Sequence, residues 1–415
     1  MKKKGRLEYS ILNSTISTII YVGRLLIQFV ARSFFIHFLG QTYLGLNGLF
    51  TNVLSLLSMA ELGVGASIIF ALYKPLAEDD HPRITALMQL YAKAYHIIGA
   101  VIGVLGLAIM PFLHLMINSD QNVPHLYLIY LLFLANSVAS YFFTYKRSLI
   151  TADQKQYIVS LNDFLFLVAT NAVQIAVLYI HADFVIYLII QILFTLAGNL
   201  CITWIANRRY PYLNHAVKRK VDPETADTLK KNVIGNVSST IGGQIVMSTD
   251  NILISAFVNL TAVGIYSNYT LLVNAIQNVC KQITNSITAS IGNFAVMADP
   301  ERNNELFRRH FFVNHTLIFF TAVELEVVLN AFIQWWVGKE NLLPSLTATL
   351  IVLNYVIQVY RNTGFVFIQS FGLFWYQRLK PVFESIINLG MSLLLLGPFH
   401  MGINGVLLGT ITSSL

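Results

Sequence analysis

Residues Arg32–Lys74 read RSFFIHFLGQTYLGLNGLFTNVLSLLSMAELGVGASIIFALYK, and their pattern organises the rest of the chain. The stretch predicts the end of one hydrophobic helix, a tight outer turn at Leu39-Gly40-Gln41-Thr42, and a second long helix. On that second helix Asn47, Thr51, Ser55, Ser58 and Glu61 recur at spacings of three and four, which draws a polar stripe down one face of an otherwise apolar rod. Further on, FVNLTAVGIYSNY at 257–269 echoes FLGQTYLGLNGLF at 38–50, with Thr261 in register with Thr42 and Gly264 with Gly45. The spacing between the copies predicts two related halves.

The composition sets the solvent. Of 415 residues 55% are hydrophobic and 11% charged, and the mean hydropathy is +0.62. That leaves too little polar surface to cover a soluble globule, so the chain reads as a polytopic membrane protein. Cys201 and Cys280, far apart in apolar segments, read as packing residues rather than a disulfide or a metal site. His37, His96 and His114 lack metal-ligand spacing and read the same way. The basic leader 1–10 precedes an apolar run that contains Arg24 and Arg32 and has no small-residue cleavage site, which predicts a retained first span.

A hydrocarbon core of about 30 Å takes about 20 helical residues to cross. Apolar runs of that size predict spans at 13–39, 44–73, 86–117, 124–145, 157–180, 183–206, 232–258, 262–296, 308–332, 343–372, 380–397 and from 402 onward. The expected fold is therefore an all-α polytopic membrane protein with twelve transmembrane helices in two pseudo-symmetric six-helix lobes, the last helix cut short at Leu415. The lobes are expected at 1–206 and 232–415, joined by a basic cytoplasmic linker over 207–231. Twenty-one of the 27 basic residues fall in alternate connections and only Lys339 in the others, which predicts a cytoplasmic N-terminus. The net charge of +7 is then largely a topology signal, and no nucleic-acid role is expected. Gly99, Gly103 and Gly106 are spaced for close helix contact, and Pro111 is expected to kink the outer end of the third helix.

Five basic residues remain within the spans: Arg24, Arg32, Lys93, Lys281 and Arg361. Each costs about 2.5 to 3.5 kcal/mol at the bilayer centre, so each is a candidate for function. Pairing with Glu61, Asp163, Asp250, Glu324, Glu326 or Glu384 would make them structural instead. On the first helix Asn13, Ser17, Tyr21, Arg24, Gln28 and Arg32 share a face; on the eighth Thr270, Asn274, Asn278, Lys281, Asn285 and Thr288 do; the tenth adds Asn354, Gln358 and Arg361. Such stripes predict a hydrated cavity in which the five cations bind an anionic pyrophosphate and Gln28, Asn47, Ser55, Glu61, Asn274, Asn278, Asn285 and Gln358 supply a polar lining. The repeat shift sets Asp250 opposite Ala31, next to Arg32, which suggests an outer gate between Arg32 and Asp250, or a coupling role for the acid. The patterns GxxxxGK[ST], HExxH and GxSxG do not occur, so no cofactor, metal or catalytic residue is expected and the chain reads as a non-enzyme.

The run quoted above together with PLAEDD at 75–80, STDNILISAFVNLTAVGIYSNY at 248–269 and SITASIGN at 286–293 resembles the Wzx-type polysaccharide flippases of the multidrug/oligosaccharidyl-lipid/polysaccharide flippase superfamily. That resemblance implies movement of undecaprenyl-pyrophosphate-linked oligosaccharide repeat units from the inner to the outer leaflet of the bacterial cytoplasmic membrane, by alternating access, for capsule, exopolysaccharide or O-antigen synthesis. It also implies membrane lipids and a polysaccharide polymerase as partners, with the protein itself a monomer. In the related lipid II flippases basic residues on the first, second and eighth helices are implicated in pyrophosphate binding. Arg24, Arg32 and Lys281 match in kind, whereas the second helix here carries Glu61. The alternatives are a cation-coupled multidrug exporter of the same superfamily, disfavoured because the first span lacks an acid, and a membrane glycosyltransferase or polymerase, disfavoured by the short outer loops.

Overall fold

In a computed structural model of the chain the described residues are 6–61, 64–117, 123–213, 248–285, 300–371 and 379–415, apart from a few side chains within helices, that of Asn285 among them. These residues hold helix in each of the twelve predicted segments. The helices are α1 (Arg6–Leu57), α2 (Val64–Ala77), α3 (His81–Ile109), α4 (Leu126–Ala152), α5 (Gln156–Ile180), α6 (Phe184–Arg209), a helix over 248–257, α7 (Leu260–Asn285), α8 (Pro300–Val337), α9 (Ser345–Tyr360), α10 (Asn362–Ser370), α11 (Lys380–Leu396) and α12 (Ile403–Ser414). Among the described residues five helices are long and apolar enough by themselves to cross a membrane. The chain is an all-α, multi-pass membrane protein. A helix is the open-ended element that satisfies every backbone polar group within itself, which hydrocarbon demands. Most of the linker (214–231), much of the seventh span (232–247), the SITASIGN run and the connection at 372–378 lie outside the described residues.

The predicted outer turn contracts to one residue. Gly40 takes φ 82°, ψ 174° while helix continues on both sides of it, in a region of backbone space that only glycine occupies freely. The second span departs from the expected single rod. After Leu57 the chain tightens into a 3-10 turn at Ser58–Glu61, and the next described helix begins at Val64. Ser58 Oγ donates to the Leu54 carbonyl at 2.8 Å, a back-bond of the kind that bends helices. The tenth span is likewise interrupted, at Arg361 between α9 and α10. Pro111 does break α3, which passes into a 3-10 turn at Met110–Phe112.

Contacts divide the chain into two compact units. The first holds residues 1–40, 53–113 and 122–241; the second holds 41–52, 114–121 and 242–415. In the first unit α4 is central and packs on α2, α3, α5 and α6. Gly99 and Gly106 of α3 lie against Tyr141 and Leu134 of α4, and Tyr130 Oη donates to the Gly106 carbonyl at 2.8 Å, so the small residues bring the helices together as expected. Acidic caps start two helices: Asp80 accepts from the Arg83 amide and Asp183 from the Ile186 amide, each at 3.0 Å. In the second unit α7, α8, α9, α11 and α12 surround a core that includes Val263, Tyr269, Ile333, Val359, Val406 and Leu407.

Candidate functional site

A cavity of about 250 Å³ opens within the second unit, lined by Asn52, Asp250, Asn251, Tyr266, Thr270, Asn274, Gln277, Asn354, Tyr355, Gln358 and Thr410, with apolar contributions from Val273 and Ile351. Five elements supply it: the end of the 41–52 stretch, the 248–257 helix, the face of α7 carrying the predicted stripe, α9, and α12 through Thr410. Amide and hydroxyl groups dominate its wall. Asn354 Oδ1 has no hydrogen-bond partner among the described residues, and the Gln358 amide is held by Ser414 Oγ at 2.9 Å. The one carboxylate, Asp250, lies 3.3 Å from Thr410 Oγ1, which in turn accepts from the Asn388 amide at 2.9 Å. Among the described residues no basic side chain lies within ion-pair distance of Asp250. A lone buried carboxylate ringed by neutral oxygen and amide groups suits a proton or a small cation; the amides beside it suit hydroxyl-rich ligands.

The predicted residues divide between the units. Asp250, Asn274 and Gln358 meet in this cavity; Asn278, exposed, and half-buried Lys281 follow Asn274 down the same face of α7. Lys281 Nζ makes no hydrogen bond or ion pair with any described residue. In the first unit Arg32 lies beside Tyr187, Gln28 and Lys93 are exposed, and Ser55 is half-buried. Asn47, in the 41–52 stretch, is half-buried and accepts from Thr51 Oγ1 at 3.4 Å.

Three of the expected site residues meet a group of the protein itself, Arg361 and Glu61 at hydrogen-bond distance and Arg24 only loosely. Arg24 approaches Asp163 at 3.7 Å, and Asp163 is also gripped by both terminal nitrogens of Arg147 at 2.9 and 2.8 Å. Arg361 pairs with Glu384, which Lys380 approaches at 3.6 Å. Glu61, instead of lining a cavity alone, accepts from Tyr95 Oη at 2.6 Å; Tyr95 stands edge-on to Tyr91, whose hydroxyl meets Ser148 Oγ at 2.9 Å. The physical reason is desolvation: a charge withdrawn from water keeps its ionised form only with a partner, and each of these side chains has one on a neighbouring helix. Asn388, Thr410, Arg147 and Lys380 were not singled out by pattern, because the first two look like packing groups and the others like interfacial cations. Among the described residues no cluster of His, Cys, Asp or Glu could hold a metal ion.

No curated protein sequence matches the chain. Its fold is nevertheless shared with solved transporters. An inward-facing multidrug-resistance MATE transporter of the MOP superfamily superposes with a TM-score of 0.70 at 12% identity, over 97% of this chain and 94% of its own. The lipid II flippase MurJ, in an inward closed conformation, superposes with a TM-score of 0.65 at 12% identity, over 97% and 85%. The Vibrio cholerae MATE transporter VcmN follows with 0.64 at 13% identity, over 99% and 93%. At such identity the likeness establishes the fold. The sequence itself goes further, since residues 11–291 match the family profile described as polysaccharide biosynthesis protein, and with most of its length covered the chain belongs to that family.

Proposed function

We propose that the protein is a flippase that carries a lipid-linked oligosaccharide from the inner to the outer leaflet of a bacterial cytoplasmic membrane, with its N-terminus in the cytoplasm. Family membership supports the polysaccharide pathway, and likeness to a lipid II flippase supports a lipid-linked cargo. The observation that carries the reading is the face of α7, where Thr270, Asn274 and Gln277 enter the cavity of the second unit and Lys281, without a carboxylate partner among the described residues, follows at helical spacing. Amides there bind sugar hydroxyls and Lys281 binds the pyrophosphate. Transport proceeds by alternating access, and Asp250 couples it to a proton or cation.

Lys281→Ala and Asn274→Ala test this. In cells expressing each variant at matched level, delivery of lipid-linked repeat unit to the outer leaflet falls about tenfold, the factor for loss of a hydrogen-bonding contact worth about 1.4 kcal/mol. Full delivery by both variants removes the cargo assignment. A cation-coupled drug exporter is the second reading, favoured by the isolated Asp250 carboxylate. It predicts that Asp250→Asn abolishes dye efflux while sugar-lipid delivery is unaffected.

A further inference from the structure

Each unit carries a set of two cations and one carboxylate; the inner arginine and the carboxylate lie on corresponding segments, whereas the outer cation comes from α1 in the first set and from α11 itself in the second. In the first, Arg147 at the end of α4 grips Asp163 on α5, and Arg24 shares that carboxylate. In the second, Arg361 between α9 and α10 grips Glu384 on α11, and Lys380 shares it. The fourth and fifth segments of one half thus repeat as the tenth and eleventh of the other, close to the 219-residue shift that relates Thr42 to Thr261. Each set contains two cations and one carboxylate and keeps a surplus positive charge. The surplus sits on the more accessible cation: Arg24 and Lys380 keep 39% and 42% of their side chains exposed, against 28% and 15% for Arg147 and Arg361. Arg24 stands beyond hydrogen-bond distance of Asp163, so the contact leaves its donor fork uncommitted. In the second set Arg361 and Lys380 both lie over the Phe365 ring, at 5.4 and 5.2 Å from its centre. In the first set Arg147 and Asp163 lie on either side of the connection that carries Lys155; in the second Lys380 opens α11.

We infer that each set is a binding point for a phosphate group of a membrane lipid, with Arg24 and Lys380 as the contacting cations and Asp163 and Glu384 holding the inner arginines in place. A carboxylate that neutralises one cation of two leaves a site of single positive charge, matched to the single negative charge of a phosphodiester. The assignment does not depend on what the protein translocates.

The test is native mass spectrometry of the full chain released from nanodiscs of equal phosphatidylcholine and phosphatidylglycerol. Wild type retains phosphatidylglycerol. Arg24→Gln and Lys380→Gln each weaken one site about tenfold, and the double variant retains none; Arg24→Lys and Lys380→Arg restore retention. Asp163→Asn and Glu384→Gln raise it, the reverse of what loss of a purely structural ion pair would do. Release by excess inorganic phosphate identifies a site for the phosphate alone; retention against it identifies the intact lipid as the ligand. Unchanged phosphatidylglycerol retention in both Gln variants, with melting temperatures matching wild type, overturns the assignment, as does reduced retention in both carboxylate variants.

Discussion

Thr42 Oγ1 and Thr261 Oγ1 lie 3.1 Å apart, and the two residues occupy the same register of the repeated stretch. A residue that touches its own counterpart marks a local two-fold axis. The flanking glycines obey it: a β-carbon on Gly45 would overlap the Leu260 carbonyl, and one on Gly264 would overlap the Gln41 carbonyl. The two backbones cross at the closest approach that glycine permits.

Gly45→Ala and Gly264→Ala are therefore expected to cost about 1 to 3 kcal/mol each or more, because backbone rather than a mobile side chain must yield. Their combination is expected to be less than additive, since one displacement of the crossing relieves both clashes. Melting temperatures of the singles and the double in detergent check this. Wild-type stability in either single variant would show that the crossing opens freely.

Glu61 gives a second expectation. Its carboxylate accepts from Tyr95 at 2.6 Å, in a half-buried setting where the chain leaves α-helical geometry. Glu61→Gln keeps an acceptor for the phenol and is expected to remain folded with a small loss of stability. Glu61→Ala removes the carboxylate acceptor of the Tyr95 hydroxyl and is expected to cost about 1 to 3 kcal/mol. The added change Tyr95→Phe should recover part of that loss, and a thermal-unfolding comparison of the three proteins reads it directly.

At the basic end of α6, Tyr210 Oη donates to Asp153 at 2.6 Å, and Asp153 also pairs with Lys155. Tyr212 stacks on His81 with ring centres 4.1 Å apart. Burial, and then the Asp153 carboxylate, push the Tyr210 phenol well above the usual range; burial, then Asp153 and Asp79, push Tyr212 up to about 12. A phenol whose folded pKa is raised contributes stability that is complete below its unfolded value, near 10, and that is lost as pH rises above it. Melting temperature should accordingly fall as pH passes from about 10 to 12. Tyr210→Phe, with the hydrogen bond gone, should lose about 1 kcal/mol at neutral pH and show a shallower alkaline decline. Parallel curves for the two proteins would remove Tyr210 from the account.

Much of this was legible before folding. The twelve segments follow from hydropathy because each helix satisfies its own backbone locally, and a local property survives in a local stretch of sequence. Gly40 was legible as a turn and Thr42 and Thr261 as counterparts, since register along the chain is read directly from spacing. The extra break at Ser58–Glu61 was not, because the polar stripe that predicted one long helix contains the Ser58 hydroxyl that bends it.

The sequence alone determined the solvent, the helix order, the repeat and the presence of intramembrane charges in excess of what an anchor needs. Which carboxylate each cation meets was decided only by the tertiary structure. Asp163 takes Arg147 rather than Arg24 as its close partner, Glu384 is shared by Arg361 and Lys380, and Asp250 lies with Thr410 without a cation among the described residues. Those choices depend on which helix faces cross at which depth, a property of packing between distant segments, and the strength of an ion pair falls so steeply with separation and desolvation that a displacement of one helical turn exchanges partners.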